Sequence, residues 1–286
     1  MTVESIVQIA INGVMLSLMY ILVSLGLSYI FSMLRIITFA HGEIYMLGSY
    51  FTYIFAVQMG LNYFIALVLA IAVMFLIGMG LERVLWHPIL DKHMPCLILS
   101  LGISLVLSGS VALILGEREK GIPTVFTGVI NISGVVFSVE RLVMVFASIV
   151  LIFGVLYFFR NHKLGQAMRA IALDPETAAL QGIPVGRLQT VGFGIGCALA
   201  ATAGGLMAPI FSIFPTMGLG VMVKAFIVVI LGGLGSISGV IIGGFIIGFL
   251  DSFSLTLVGN IGNMFGFILF ILVLLIRPKG IMGYEA

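Results

Sequence analysis

Charge is what this sequence has least of. Asp, Glu, Lys and Arg make up 8 % of its 286 residues against 61 % hydrophobic ones, and the mean hydropathy is +1.29. A soluble domain is about a quarter charged, so this chain cannot cover a globular surface in water. It also lacks any basic cluster, and with a net charge of +2 nothing points to nucleic acid. Its two cysteines, Cys96 and Cys197, fall in apolar runs, which suits packed thiols rather than a disulfide framework. No HExxH pattern occurs, and the four histidines are not paired at metal-ligand spacing. No Lys or Arg precedes Arg35, and the first apolar run is too long for a signal's hydrophobic region. The start of the chain therefore reads as a retained helix rather than a cleaved signal peptide.

What is present is a series of uncharged intervals: 5–34, 44–81, 94–116, 142–159, 188–223, 225–250 and 252–276. A spanning helix needs about 20 apolar residues, so each interval holds at least one crossing. The pattern predicts helices near 7–33, 40–58, 62–81, 95–115, 142–159, 188–209, 222–234, 237–257 and 263–276. The fold class is an all-α polytopic integral membrane protein with about eight to ten transmembrane helices. The 222–234 segment is too short to span alone at about 1.5 Å per residue and reads as a half-helix or re-entrant piece.

Basic residues then orient the chain. Arg35, the Arg83/Lys92 loop, the Arg160–Arg187 segment and Arg277/Lys279 alternate with loops that are nearly neutral. With nine crossings this puts the N-terminus outside and the C-terminus in the cytoplasm. Two loops are large. The outer one, about 117–141, has Gly and Pro punctuation and a rough apolar/polar alternation, suiting a short strand, a lid or a plain loop. The inner one, about 160–187, writes a helix over 164–173 and a second from about Pro175 to Gln181. Asp174 is its N-cap, Pro175 fits the first turn, Glu176 favours the positive helix end, and Gly182 stops it. Ala178, Ala179, Leu180 and Ile183 give it a small apolar face, suited either to a partner's groove or to lying on lipid.

Glycine is abundant, at 36 residues, and clustered. Gly235, Gly239 and Gly243 lie four apart, as do Gly244 and Gly248, and Gly196, Ala200 and Gly204 repeat the spacing. Residues four apart share a helix face, and small ones let backbones approach closely in lipid. No Lys-Ser/Thr ending follows, which argues against a phosphate-binding loop. In "LGGLGS", Gly232, Gly233, Gly235 and Ser236 suit either tight packing or a helix break whose backbone groups face a solute path.

Four ionisable groups lie within or near spans: His41, Glu43, Lys224 and Asp251. A charge at mid-membrane costs about 3 kcal/mol on insertion scales, so such groups face protein or a water-filled cavity. His41 and Glu43, two apart, do not share a helix face. They suit a proton relay or, better on chemistry alone, a helix entry in which Thr38 caps, Gly42 allows a bend and Glu43 meets exposed amides. Lys224 reads as a snorkelling residue at the outer interface. Asp251 suits a hydrogen bond between helices or a cap at a break.

Four blocks carry a family resemblance: "LRIITFAHGEIYMLGSY" (34–50), "RAIALDPETAALQGIPVGRLQ" (169–189), "AFIVVILGGLGSISGVIIGG" (225–244) and "IRPKGIMG" (276–283). In this order they resemble the LivH-type permease of branched-chain amino acid ABC importers, over nearly the whole chain. The resemblance implies one permease domain, 1–286, in a bacterial or archaeal inner membrane. It implies a second related permease, two cytoplasmic ATPase subunits holding ATP and Mg, and an extracytoplasmic solute-binding protein that sets specificity. No catalytic residue, metal or cofactor is expected on this chain. The coupling helix that docks on the ATPase corresponds to Asp174–Ile183. His41, Gly42, Glu43, Lys224 and the "GGLGS" residues are expected beside the translocation path. The rivals are a permease for another small solute, such as urea or an amide, an aromatic acid or a sugar, and a proton-coupled secondary transporter with His41 and Glu43 as its relay.

Overall fold

In lipid a backbone must satisfy its own hydrogen bonds, so uncharged runs fold as helices. The structure, a computed structural model, describes residues 3–90, 92–132, 135–259, 263–277 and 280–282. Its helices in chain order are α1 (Val3–Leu34), α2 (His41–Tyr53), α3 (Tyr63–Leu81), α4 (His93–Leu115), α5 (Val139–Asn161), α6 (Lys163–Leu173), α7 (Pro175–Leu180), α8 (Val185–Met207), α9 (Met217–Gly232), α10 (Ile237–Val258) and α11 (Asn263–Ile276). Two π-helical turns, Ile54–Gln58 and Glu82–Trp86, extend α2 and α3. Six helices among the described residues are long and apolar enough to cross a membrane, and α9 and most of α11 are shorter apolar ones. The chain is an all-α polytopic membrane protein with one small exception. Between α4 and α5, β1 (Val129–Ile132) and β2 (Val135–Ser138) pair antiparallel, with Val129 opposite Ser138.

The core lies where α1, α2, α8 and α10 cross. In α8, 83 % of the apolar window is buried, whereas in α4 the share is 11 %. The difference follows from side-chain size. Along α8, a β-carbon added at Gly196 would meet Ile30 and the Gly26 carbonyl of α1, and one at Gly204 would meet the Tyr45 carbonyl of α2. The two four-spaced series of α10 divide between two neighbours. Gly239 and Gly243 abut α9 at Gly232 and Val228, while Gly244 and Gly248 abut α1 at Ile21 and Ser17. Without a hydrophobic drive between helices in lipid, these close approaches supply van der Waals attraction that larger residues would block. On α4, Leu105 and Leu113 instead point away from the protein. The free thiols of Cys96 and Cys197 are buried.

The ends of the bundle are tied differently. At the hairpin end, Lys120 and Ile213 exchange backbone hydrogen bonds of 2.9 and 2.8 Å, joining the 116–128 loop to the α8–α9 connection. At the other end α6 packs Gly165, Met168 and Ile171 inward, so close that a β-carbon on Gly165 would strike the backbone of Phe158 and Phe159.

Candidate functional site

Between α1 and α2 the chain makes an unusual entry. Arg35 has φ +55°, the left-handed region that costs a side-chain-bearing residue energy, and it lets α1 stop at once. Residues 36–40 then run without helical structure, with Ile36, Thr38 and Ala40 buried. Thr38 does not cap α2. The N-cap is Ala40, without a side-chain hydrogen bond, and the buried Thr38 Oγ1 has no partner. Helix α2 begins against the middle of α1 and of α4, at Val23 and Ser104. His41 is fully buried with Nε2 3.1 Å from the Val23 carbonyl of α1. A carbonyl only accepts, so Nε2 carries the proton, and Nδ1 has no partner.

Gly42 sets a contact. A β-carbon there would strike the Gly218 carbonyl and Met222 of α9, and one at Gly218 would meet the Gly42 carbonyl and Glu43 Oε2. Glu43 accepts a hydrogen bond of 3.2 Å from Ser104 Oγ of α4 at Oε1, not from helix-start amides, and Oε2 has no partner. The N-terminal turns of α2 and α9 thus meet side by side inside the bundle. Gly26, Gly218 and Ser104 complete this constellation. Sequence reasoning passed over them because their partners lie on other helices.

Lys224 does not snorkel to an interface. It is buried, with Nζ 2.7 Å from Asp251 Oδ1 of α10, and Tyr20 Oη of α1 donates to Asp251 Oδ2 at 2.8 Å. The ammonium also lies 5.9 Å from the Phe267 ring centroid, so α11 covers the group. Two opposite charges and a phenol across three helices satisfy one another, the arrangement that makes buried charge tolerable. Tyr20 is the missed member. Its signal was a phenol between Ser17 and Ser24 in an uncharged stretch of α1.

The "LGGLGS" stretch does break the helix. Gly233 and Gly235 have φ +104° and +83°, and Ser236 caps α10 by accepting from the Gly239 amide at 3.1 Å. The last carbonyls of α9 are not left open. The amides of Ile281 and Met282 donate to Leu231 and Gly232 at 2.8 and 3.0 Å. Gly280, at φ +79°, lets the tail press against Gly233. Within "IRPKGIMG", Pro278, Lys279 and Gly283 lie outside the described residues.

Helix α7 is organised by Asp174. Its Oδ1 accepts from the amides of Glu176 and Thr177 at 3.0 and 3.2 Å, and its Oδ2 from the Thr177 hydroxyl. The Thr177 hydroxyl first, then the two amides, hold the carboxyl below its ordinary range. Gly182, at φ +79°, closes the other end, where the Ile183 amide donates to the Ala178 carbonyl. Ala178 is buried, so the face anticipated as Ala178, Ala179, Leu180 and Ile183 is split. Ala179 and Leu180 point outward, and Leu173 and Leu180 are 83 % and 86 % exposed.

The sequence matches the family model of the branched-chain amino acid transport system, permease component, over residues 9–277. The chain belongs to this permease family. It is 34 % identical to the high-affinity branched-chain amino acid transport system permease protein BraD of Pseudomonas aeruginosa, across 96 % of this chain and 95 % of the relative. It is 33 % identical to LivH of Escherichia coli K12, a permease protein of the same kind, over 95 % of this chain and 94 % of the relative. A probable branched-chain amino acid transport permease protein of Methanocaldococcus jannaschii is 27 % identical over 96 % and 91 %. No solved structure matches. Family and helices together make this permease a multi-pass membrane protein.

Proposed function

We propose that this permease is the translocating subunit of an ABC importer for branched-chain or related hydrophobic amino acids. On this reading the α6–α7 end is cytoplasmic, the hairpin end faces outward, and 1–286 is one domain. A second related permease completes the path. A solute-binding protein delivers substrate, and two ATPase subunits bind ATP and Mg and hydrolyse the nucleotide. The observation that carries the proposal is the α6–α7 corner: Leu173 at the end of α6 and Leu180 at the end of the capped six-residue α7 face the exterior, while Ala178 anchors α7 inward.

Two exposed leucines bracketing a short capped helix suit a groove on a partner. Force applied there passes through α6 into α1 and α5, and through the 181–184 turn into α8. Helices α1 and α8 meet at Gly26 and Gly196, beside His41. A push at α7 therefore reaches the α2 entry along packed backbone. Alternating access is then a shift between two packings of these helices, biased by nucleotide at a distant site. In this scheme His41 and Glu43 hold α2 beside the path, fastening it to α1 and α4, and do not choose the solute.

The test is reconstitution in proteoliposomes with the co-purifying subunits and the binding protein, measuring leucine uptake. Uptake is expected to require ATP. Leu173→Asp/Leu180→Asp is expected to release the ATPase subunits and abolish uptake without changing membrane insertion. Gly182→Val, which forces a β-branched residue into a left-handed conformation, is expected to act the same way. Normal uptake by these variants, or uptake that follows the proton gradient without ATP, overturns the proposal.

A further inference from the structure

At the α6–α7 end, α3 and α8 part to leave a cavity of about 620 Å³ lined by Met79, Arg83, His87, Gly186, Arg187, Thr190 and Val191. Its charge is one-sided, because two guanidinium groups and an imidazole line it and no carboxylate does. Neither Arg83 nor Arg187 has a hydrogen bond or ion pair to any described residue. Glu82, next to Arg83 in the chain, is buried and does not line the cavity, and its Oε1 lies 3.3 Å from His87 Nδ1. With Nδ1 engaged in that contact, Nε2 is the ring nitrogen available to a ligand of the cavity.

The level of these groups is as telling as their sign. Arg83 is the first basic residue after the uncharged interval 44–81, and Arg187 is the last before the interval 188–223. Both therefore stand where a span passes from hydrocarbon to headgroups. Met79 and Val191 extend the cavity wall toward the apolar side, and Leu76 on α3 and Val84 in the π-helical turn that follows it are 65 % and 70 % exposed. A soluble phosphate has no use for that apolar wall. A phospholipid has use for both halves, its phosphodiester between the arginines and its acyl chain along α3. Arginine's planar fork suits phosphate oxygens better than a point charge does, and basic pockets between spanning helices bind anionic headgroups.

We propose that this cavity is a binding site for the phosphate headgroup of an anionic phospholipid, held by Arg83, Arg187 and His87. The lipid wedges between α3 and α8, and α8 is the most buried spanning helix of the bundle. Occupancy therefore props the entry to α8 directly after the α7 turn. The proposal does not depend on which solute is carried.

The test uses the full-length permease with its associated subunits, in nanodiscs of phosphatidylcholine containing phosphatidylglycerol, followed by native mass spectrometry of retained lipid. The wild type is expected to keep phosphatidylglycerol over phosphatidylcholine by about tenfold or more, a difference of about 1.4 kcal/mol. Arg83→Gln/Arg187→Gln is expected to erase that preference, and Arg83→Lys/Arg187→Lys to keep part of it. No preference in the wild type overturns the proposal without recourse to any variant. Displacement of the lipid by excess inorganic phosphate would make this a site for a soluble phosphoanion and overturn the lipid assignment. Loss of an ATPase subunit from the Gln variant with lipid preference intact would reassign the arginines to a subunit interface.

Discussion

Two polar knots lie buried in this permease, and they are built on opposite plans. Around Lys224 a cation, an anion and a phenol from three helices complete one another. Around the start of α2, His41 and Glu43 each make one hydrogen bond and keep one polar atom without a partner among the described residues. An unpaired buried polar group costs about 1–3 kcal/mol, so the second knot is the less stable of the two as it stands. The first has the character of a fastening. The second has groups that can find new partners when helices move, which is what the proposed place of α2 beside the translocation path calls for. The pairing around Lys224 predicts sensitivity of the fold; the open valences around His41 predict sensitivity of the rate.

The largest effect is expected at Asp251. Asp251→Ala removes the carboxylate from beside the Lys224 ammonium, and breaking a buried pair on one side costs about 3–5 kcal/mol. Little folded permease should remain in membranes, measured by abundance and by melting of the solubilised protein. Lys224→Met/Asp251→Leu should recover most of the loss, since a well-packed apolar pair replaces a buried ion pair at little cost. If the double variant is as poor as the single, the charges do more than hold helices together.

Next comes Gly42→Val. It drives a branched side chain into the Gly218 backbone, and overpacking of this kind costs about 1–3 kcal/mol. Melting temperature and uptake should fall together. A variant that melts normally yet transports nothing would move Gly42 from packing to path.

Glu43→Gln is expected to be milder. The amide oxygen still accepts from Ser104, and stability should stay within about 1 kcal/mol of wild type. The uptake rate should fall while the ranking of competing amino acids holds. A clean change in that ranking at normal expression would show that the carboxylate touches the solute.

The smallest effect concerns pH. The Asp174 carboxyl is held below its ordinary range by its cap contacts, so its contribution is present above the unfolded pKa and fades only as pH falls through the lower folded value. Coupling of ATP hydrolysis to uptake should show no transition from Asp174 between about pH 5 and 8. Asp174→Asn, which still caps, should couple nearly normally, and Asp174→Ala should couple less well.

What was legible in the sequence was local. Uncharged intervals located the spans, and the anticipated 95–115 corresponds to His93–Leu115. The Asp174-Pro175 start and Gly182 stop delimited α7 within a residue, because caps are written into adjacent positions. "LGGLGS" marked a true break for the same reason. The short helix before it starts at Met217 rather than near 222, directly after Pro215 and Thr216, so the earlier boundary was also a local signal. What was not legible depends on depth and partners. Nothing near Lys224 announces a carboxylate 27 positions away on another helix. Thr38 has the side chain of a cap but sits too early, and Ala40 takes the position for geometric reasons. Ala178 and Ala179 are equivalent as letters; only their placement in the fold turns one inward and the other outward.

The tail that closes α9 also bears on how the chain is made. The amides of Ile281 and Met282 are translated only after α10 and α11, so the Leu231 and Gly232 carbonyls wait without these partners while two more helices enter the bilayer. The break between α9 and α10 is therefore among the last places to mature. The stitch thus closes the C-terminal end of α9 late, while the Gly42–Gly218 contact holds its N-terminal end.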